Sequence, residues 1–113
     1  MKRLWTLGLL ILMTPGISMG AIVFTKTAPV NKVWTWAQTA SSVDGDAVLH
    51  LDTGLAECPA GVFIQDAENS DKAYSAALTA YTTGKLVKVQ VFNDLYWAGS
   101  GTPYCKVRAI FLE

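Results

Sequence analysis

The stretch SDKAYSAALTAYTTGKLVKVQVF, residues 70–92, joins a helical pattern directly to a strand pattern and decides the fold. In its first half, apolar side chains recur at positions i, i+3, i+4 and i+7, which lie on one face of a helix. These side chains are Tyr74, Ala77, Leu78 and Tyr81. The spacing predicts a helix that buries this face against the rest of the chain.

Both ends of this helix are predicted from single residues. The hydroxyl of Ser70 can accept a hydrogen bond from a backbone N–H of the first turn, as N-cap residues do. Gly84 can take the left-handed conformation that ends a helix, because it has no Cβ to clash. After Leu86 the apolar period changes to two, which predicts a strand with one buried side. That side is formed by Val87, Val89 and Val91.

Other strand patterns lie at residues 30–39, 47–52, 62–65 and 104–113, and residues 21–29 are apolar enough for a further extended segment. Asp44 and Gly45 predict a hairpin with a type I′ turn, which needs positive φ at both central residues. The order βββαββ predicts a mainly β (α+β) domain with one helix, arranged as the five-stranded, partly open barrel of the OB-fold. A small α+β sandwich of the same elements is the alternative.

The first twenty residues differ in pattern from the rest of the chain. Lys2 and Arg3 precede an apolar run at residues 4–13, and small residues follow it. This layout is typical of a secretory signal peptide, with cleavage expected after Gly20. Ten apolar residues are too few for a membrane span, which needs about twenty. We therefore expect an exported protein, secreted or periplasmic, with a single domain at residues 21–113.

The charge balance argues against a nucleic-acid partner. The full chain has nine basic and nine acidic residues. Without Lys2 and Arg3, seven basic residues remain against nine acidic ones, a net charge of about −2. Because binding to phosphates needs clustered excess positive charge, we expect no nucleic acid as partner.

Cys58 and Cys105 are the only cysteines of the chain. Because an exported protein meets an oxidising compartment, we expect them to form one disulfide. Closing the loop between them would stabilise the domain by about 4 kcal/mol in the chain-entropy model. Two free thiols or half of a metal site are weaker alternatives, since the chain has no CxxC motif and His50 is its sole histidine. We expect neither a metal nor another cofactor.

The sequence pattern assembles no catalytic site. His50 could act as a general base, but no nucleophile motif accompanies it, and we expect a solvent-exposed histidine. The segment VDGD, residues 43–46, lacks the alternating acids and terminal glutamate of a calcium loop. We therefore expect a protein without enzyme activity.

Aromatic residues are the stronger functional signal. Two tryptophans share one face of the first predicted strand, and another lies in the turn before the last strand. Aromatic rings can stack on the apolar face of a sugar while neighbouring polar groups bind its hydroxyls. The candidate ligand-binding residues are Trp34, Trp36, Asp94 and Trp97. The alternative is that the first two tryptophans belong to the core or to a subunit interface.

The run AYSAALTAYTTGKLVKVQVF, residues 73–92, followed by Trp97, resembles the binding subunits of subtilase cytotoxin-like pentameric toxins. In that family a helix ends in a tyrosine and Thr-Thr-Gly before a strand with basic residues. The segments CPAG at 58–61 and YC at 104–105 also resemble related small exported bacterial proteins. The clear match covers about 25 residues of the chain.

This resemblance implies an OB-fold subunit that assembles as a ring of five and binds sialylated cell-surface glycans. It also implies an exported catalytic subunit as partner. Val91 stands where the toxin subunit has a sugar-binding tyrosine, and the first strand has no counterpart of that family's Asp and Ser ligands. An exported structural or interaction protein of the same fold, without sugar binding, is therefore the alternative.

Overall fold

The computed structural model of the chain describes residues 21–37 and 42–113. The predicted signal peptide at 1–20 and residues 38–41, which include the last two residues of the first predicted strand, lie outside the described residues. The described elements are β1 (Ile22–Phe24), β2 (Ala28–Pro29), β3 (Lys32–Thr35), β4 (Ala47–His50), β5 (Gly61–Ile64), α1 (Ser70–Thr83), β6 (Leu86–Tyr96) and β7 (Cys105–Leu112). The prediction of a mainly β domain with one helix is confirmed. Within these ranges, no helix is long and apolar enough to cross a membrane.

The strands form one sheet that does not close, in the order β1-β6-β7-β5-β4-β3, and β2 also pairs with β6. All neighbouring strands are antiparallel except β5 and β7, which are parallel. A parallel pair needs a crossover connection, and α1 lies within it. The helix packs against β7, β5 and β3. It therefore covers one face of the sheet and leaves the opposite face to other side chains.

The extended segment predicted at 21–29 forms β1 and β2, which both pair with β6. Between them, the buried Thr25 keeps Val89 in the ladder. The backbone N–H of Thr25 donates to the Val89 carbonyl at 2.8 Å, and its Oγ1 accepts from the Val89 N–H at 3.0 Å. The side chain thus replaces a backbone acceptor where the strand is interrupted.

The main core lies between the sheet and α1. The predicted buried side of β6 is confirmed, since Val87, Val89 and Val91 are all buried there. They pack in one cluster with Leu49 and Val62 of the neighbouring strands. The predicted disulfide is also present: Cys58 and Cys105 are bonded, with their Cα atoms 5.7 Å apart, and both are fully buried. This bond ties the loop before β5 to the start of β7.

The buried face of the helix is rotated from the predicted one, although it still includes Ala77. Its fully buried residues are Ala77 and Ala80, while Tyr74 and Leu78 are half-buried and Tyr81 is exposed. Small alanine side chains let the helix approach the sheet closely, so the alanines occupy the contact. The larger side chains are displaced to its margins, and the predicted burial of Tyr81 is wrong.

The C-terminal end of α1 is confirmed, and its N-terminal end is not. Gly84 has φ 76°, and its N–H donates to the Ala80 carbonyl at 2.9 Å. At the other end, Asn69 takes the cap position with φ 73° and makes no side-chain cap bond. Ser70 is the first helical residue, and its hydroxyl accepts a bond from the Ala67 N–H at 3.3 Å.

A bulge in β7 changes which side chains reach the core. The pairing register with β6 shifts between Gln90 and Val91, which leaves Arg108 without an opposite residue. An extra residue reverses the alternation of side chains beyond it. Val107 and Ile110 therefore both pack against the core, and Phe111 is exposed.

Candidate functional site

The sheet face opposite α1 carries a row of directly opposed side chains that crosses six strands. From one end to the other, the row consists of Trp34, Val48, Phe63, Lys106, Phe92 and Ile22. Val48 and Phe63 in this row are buried, although the helix lies on the other face. A second layer of side chains must therefore cover the middle of the row.

That layer is a group of five ring-bearing residues in mutual contact. The ring centroids of Trp36 and Trp97 are 4.8 Å apart, and those of Trp34 and His50 are 4.5 Å apart. The tilted and edge-on angles of these pairs are those that aromatic rings prefer. We call this group the aromatic cluster; it consists of Trp34, Trp36, His50, Trp97 and Tyr104.

Asp46 holds Trp97 of the cluster in place, and both oxygens of its carboxylate accept hydrogen bonds. Oδ2 accepts from the indole N–H of Trp97 at 3.1 Å, and Oδ1 accepts from the backbone N–H of Asp66 at 2.8 Å. Asp46 is buried, and a buried carboxylate is costly unless it is hydrogen-bonded. The pair of bonds therefore ties the β3–β4 loop to Trp97 and to the segment before α1.

The β3–β4 loop also holds Trp36 through its backbone. The Trp36 N–H donates to the Asp46 carbonyl at 3.1 Å, and its carbonyl accepts from the Gly45 N–H at 2.7 Å. The predicted antiparallel hairpin is thus confirmed, but its type I′ turn is wrong. Gly45 has φ 86°, whereas Asp44 does not have a positive φ.

A cavity of about 250 Å³ opens beside Trp97. Its aromatic wall is formed by Phe63, Tyr96 and Trp97, and its polar groups include Gln65 and Lys106. Residues of the β3–β4 loop and the segment 95–98 also line it. This combination of apolar walls with a few polar groups is typical of sites for small ligands. We call it the Trp97 cavity.

Another cavity, of about 260 Å³, lies where α1 begins. Thr35, Asp66, Asp71 and Tyr74 are among its lining residues. Acidic residues are favoured at a helix N-terminus by the helix dipole, which accounts for the two carboxylates. The half-buried Tyr74 is the one aromatic residue in its lining, and no residue of the aromatic cluster lines this cavity.

The structure brings three of the four predicted ligand-binding residues together. Trp34 is 41 % exposed, and the Lys32 Nζ atom lies 5.3 Å from its ring centroid. Trp36 is half-buried between Trp34 and Trp97. Trp97 is only 5 % exposed, so it supports Trp36 and offers little surface of its own. Asp94 is exposed in β6 and is not among the residues that line the Trp97 cavity.

His50 differs from the expected solvent-exposed histidine. It is half-buried between Trp34 and Tyr104, and in the described ranges its Nε2 is buried without a hydrogen-bond partner. Burial lowers the pKa of His50, and the positive charge of Lys32 lowers it further. Both effects favour the neutral form of the imidazole within the aromatic cluster.

Sequence reasoning missed Asp46, Gln65, Tyr104 and Lys106 as site residues. Asp46 follows Gly45, where an acidic residue is expected in a turn, and Tyr104 lies beside a cysteine. The sequence did contain one signal for the outer face, the alternation of side chains along β4. Val48 and His50 alternate with the core residues of this strand, so they lie on the same face as Trp34.

Within residues 21–37 and 42–113, no group of three or more His, Cys, Asp or Glu residues could hold a metal ion. What the cluster offers instead is ring surface beside an amine, an amide and a cavity. No protein-family model, curated protein or solved structure matches the chain.

Proposed function

We propose that this chain is an exported, non-catalytic binding module that holds an oligosaccharide on the aromatic cluster and in the Trp97 cavity. One observation carries the proposal: Trp34 and Trp36 form a ring surface, and Trp97, which contacts Trp36, lines a cavity that also has Gln65 and Lys106 in its lining. Sugars present apolar faces and hydroxyl groups together, and this surface has a complement for both.

The strand connections support an OB-fold for the domain. The path β6-β7-β5-β4-β3 contains the parallel β5–β7 pair, and the helix precedes β6. Two residues separate β2, which pairs with β6, from β3, which pairs with β4, so this segment bridges the two ends of the path. These connections match a partly open barrel in which the β2–β3 segment is the first strand.

The position of the aromatic cluster supports a ligand-binding role within that fold. OB-folds bind oligosaccharides and oligonucleotides on the face flanked by the loop between strands one and two and the loop between strands four and five. Here the first of these loops carries Trp36 and Asp46, and the second carries Trp97 and Tyr104. The net charge of about −2 at residues 21–113 favours an oligosaccharide over an oligonucleotide.

The resemblance to toxin binding subunits extends the proposal to assembly and partners. A module of that kind would form a homo-pentamer, bind a cell-surface glycan and carry an exported catalytic subunit. The proposed glycan contacts are at Trp34 and Trp36, because Val91 is buried in the core and cannot serve the role of the toxin's tyrosine.

The test is a glycan array probed with the oxidised protein, followed by calorimetric titration of the glycans that bind. Trp34→Ala should weaken binding by about fivefold or more, because stacking on an exposed ring is worth on the order of 1 kcal/mol or more. Tyr81→Ala is the matched control, since it removes an exposed aromatic ring from α1 and should leave the affinity unchanged. A protein that selects no glycan, or equal loss in both variants, would overturn the proposal.

The second candidate is an interaction protein that shares the fold and binds no sugar. It is favoured by the use of the rings within the molecule, because Trp97 is almost fully buried and the Lys32 amine lies near Trp34. In that case no array glycan is selected, and Trp34→Ala affects only the affinity for a protein partner.

A further inference from the structure

A second apolar surface lies on the same outer face of the sheet, at the end away from the aromatic cluster. We call it the β1–β6–β7 patch; its large side chains are Ile22, Phe24, Leu86 and Phe111. Each is between 43 and 49 % exposed. Single exposed apolar residues need no explanation, but four on adjacent strands form a patch of the kind that marks an interaction site.

The strand register places these side chains on one face. Phe24 lies opposite Gln90, and Phe111 lies opposite Lys88, so all four project to the same side of the antiparallel pairs. The rings of Phe24 and Phe111 are in contact, with centroids 5.8 Å apart. Leu86 is two residues before Lys88 on the same side of β6.

Two cations lie in the middle of this patch. The Nζ atom of Lys88 is 5.6 Å from the ring centroid of Phe24, and the Arg108 guanidinium donates to the side-chain oxygen of Gln90. At one end of the patch the Glu57 carboxylate accepts from the Asn93 side chain, which itself accepts from the Ala21 N–H, and at the other end the backbone N–H of Glu113 donates to the Leu86 carbonyl. The centre of the patch is therefore apolar and cationic.

We propose that the β1–β6–β7 patch docks onto an anionic lipid bilayer, with its apolar side chains at the level of the headgroups and its cations on the lipid phosphates. Interfacial binding combines apolar surface with electrostatic attraction to anionic lipids, and the patch supplies both. The occupant is not a second copy packed across a two-fold axis. Such an interface would set Lys88 and Arg108 of one copy against the same residues of the other.

The path of the chain favours a bilayer over an acidic protein as the occupant. β1 is part of the patch, and the chain reaches it from residues 1–20, which carry the apolar run at 4–13 with Lys2 and Arg3 before it. Until cleavage after Gly20, the membrane that receives that run is within reach of the patch, because residues 14–21 span up to about 26 Å when extended. An acidic protein partner is an outcome of the test.

The test measures sedimentation of the full, oxidised chain with vesicles of phosphatidylglycerol and phosphatidylcholine, compared with phosphatidylcholine alone. Phe24→Ser should weaken partition into the anionic vesicles by about tenfold. Its matched control, Tyr81→Ser, removes an equally exposed ring from α1 and should change nothing. Lys88→Gln should weaken binding about fivefold on anionic vesicles only, whereas Lys72→Gln, on the helix, should not.

Each other outcome overturns the proposal. Equal sedimentation of Phe24→Ser and Tyr81→Ser would assign all membrane binding to residues 4–13. Equal binding to the two kinds of vesicle would remove the role of Lys88. A change in molecular mass on light scattering for Phe24→Ser, with unchanged partition, would make the patch a protein interface. Phe24→Leu keeps the apolar surface and should bind as the unchanged protein does, which separates docking from a folding defect.

Discussion

Replacing Asp46 with alanine should destabilise the domain by about 3 kcal/mol, because two donors lose the acceptor that satisfies them. Hydrogen bonds to a charged group contribute about 1.5–3 kcal/mol each, and a buried donor left unpaired costs about 1–3 kcal/mol. The donors are the indole N–H of Trp97 and the backbone N–H of Asp66. For a domain of this size, the change should lower the melting temperature by roughly 12–24 °C.

A double-mutant cycle in urea isolates the bond between Asp46 and Trp97. Trp97→Phe removes the indole N–H and keeps an aromatic ring in the cluster. Far-UV circular dichroism follows unfolding without depending on tryptophan fluorescence. We expect Asp46→Ala and Trp97→Phe to couple by about 1.5 kcal/mol or more, so that the double variant is more stable than additive losses predict. Coupling below about 0.3 kcal/mol would refute the account of how Trp97 is held.

Three further predictions concern other parts of the domain. Replacing Cys58 and Cys105 with serine should lower the free energy of unfolding by about 4 kcal/mol, measured in urea, and a loss below about 1 kcal/mol would contradict the role given to the bond. The pKa of folded His50 is lowered from 6.5, so the unfolded state binds more protons and the free energy of unfolding should fall as the pH falls below about 6.5. His50→Phe should remove this part of the pH dependence, and a variant with the same pH profile as the unchanged protein would contradict the role given to His50. Gly84→Ala should cost about 1 kcal/mol from backbone strain alone, since φ is 76° and an added Cβ meets no atom within 4 Å; a melting temperature equal to that of the unchanged protein would show that the helix end can relax.

Local patterns were sufficient where one periodicity acts alone. The valines of β6, the end of α1 at Gly84 and the disulfide all follow from residues close to one another in sequence or from a count of cysteines. They were confirmed because no other element competes for the same choice. In α1, by contrast, the sequence allows two helix faces to be buried, one with the small alanines and one with the larger tyrosines. The structure buries Ala77 and Ala80, which let the helix approach the sheet closely, and leaves Tyr81 exposed. That choice depends on the sheet against which the helix packs.

The site was less predictable because it depends on contacts between distant segments. Trp34 and Trp36 could be singled out by their shared strand, and Trp97 by its position before β7. The sequence contains no sign that Trp97 is buried, because its acceptor, Asp46, lies 51 residues away. In β7, the bulge at Arg108 reverses the alternation, and no local pattern marks it.

The most direct test of the proposed binding role is a ¹H–¹⁵N spectrum of the oxidised protein, titrated with the oligosaccharides that the array selects. The indole N–H signals of the tryptophans report on each ring separately. We predict that the signals of Trp34 and Trp36 shift in proportion to ligand bound, and that backbone signals of α1 residues such as Tyr81 do not. Shifts confined to α1 or to the β1–β6–β7 patch, or no shift at either tryptophan, would contradict the account.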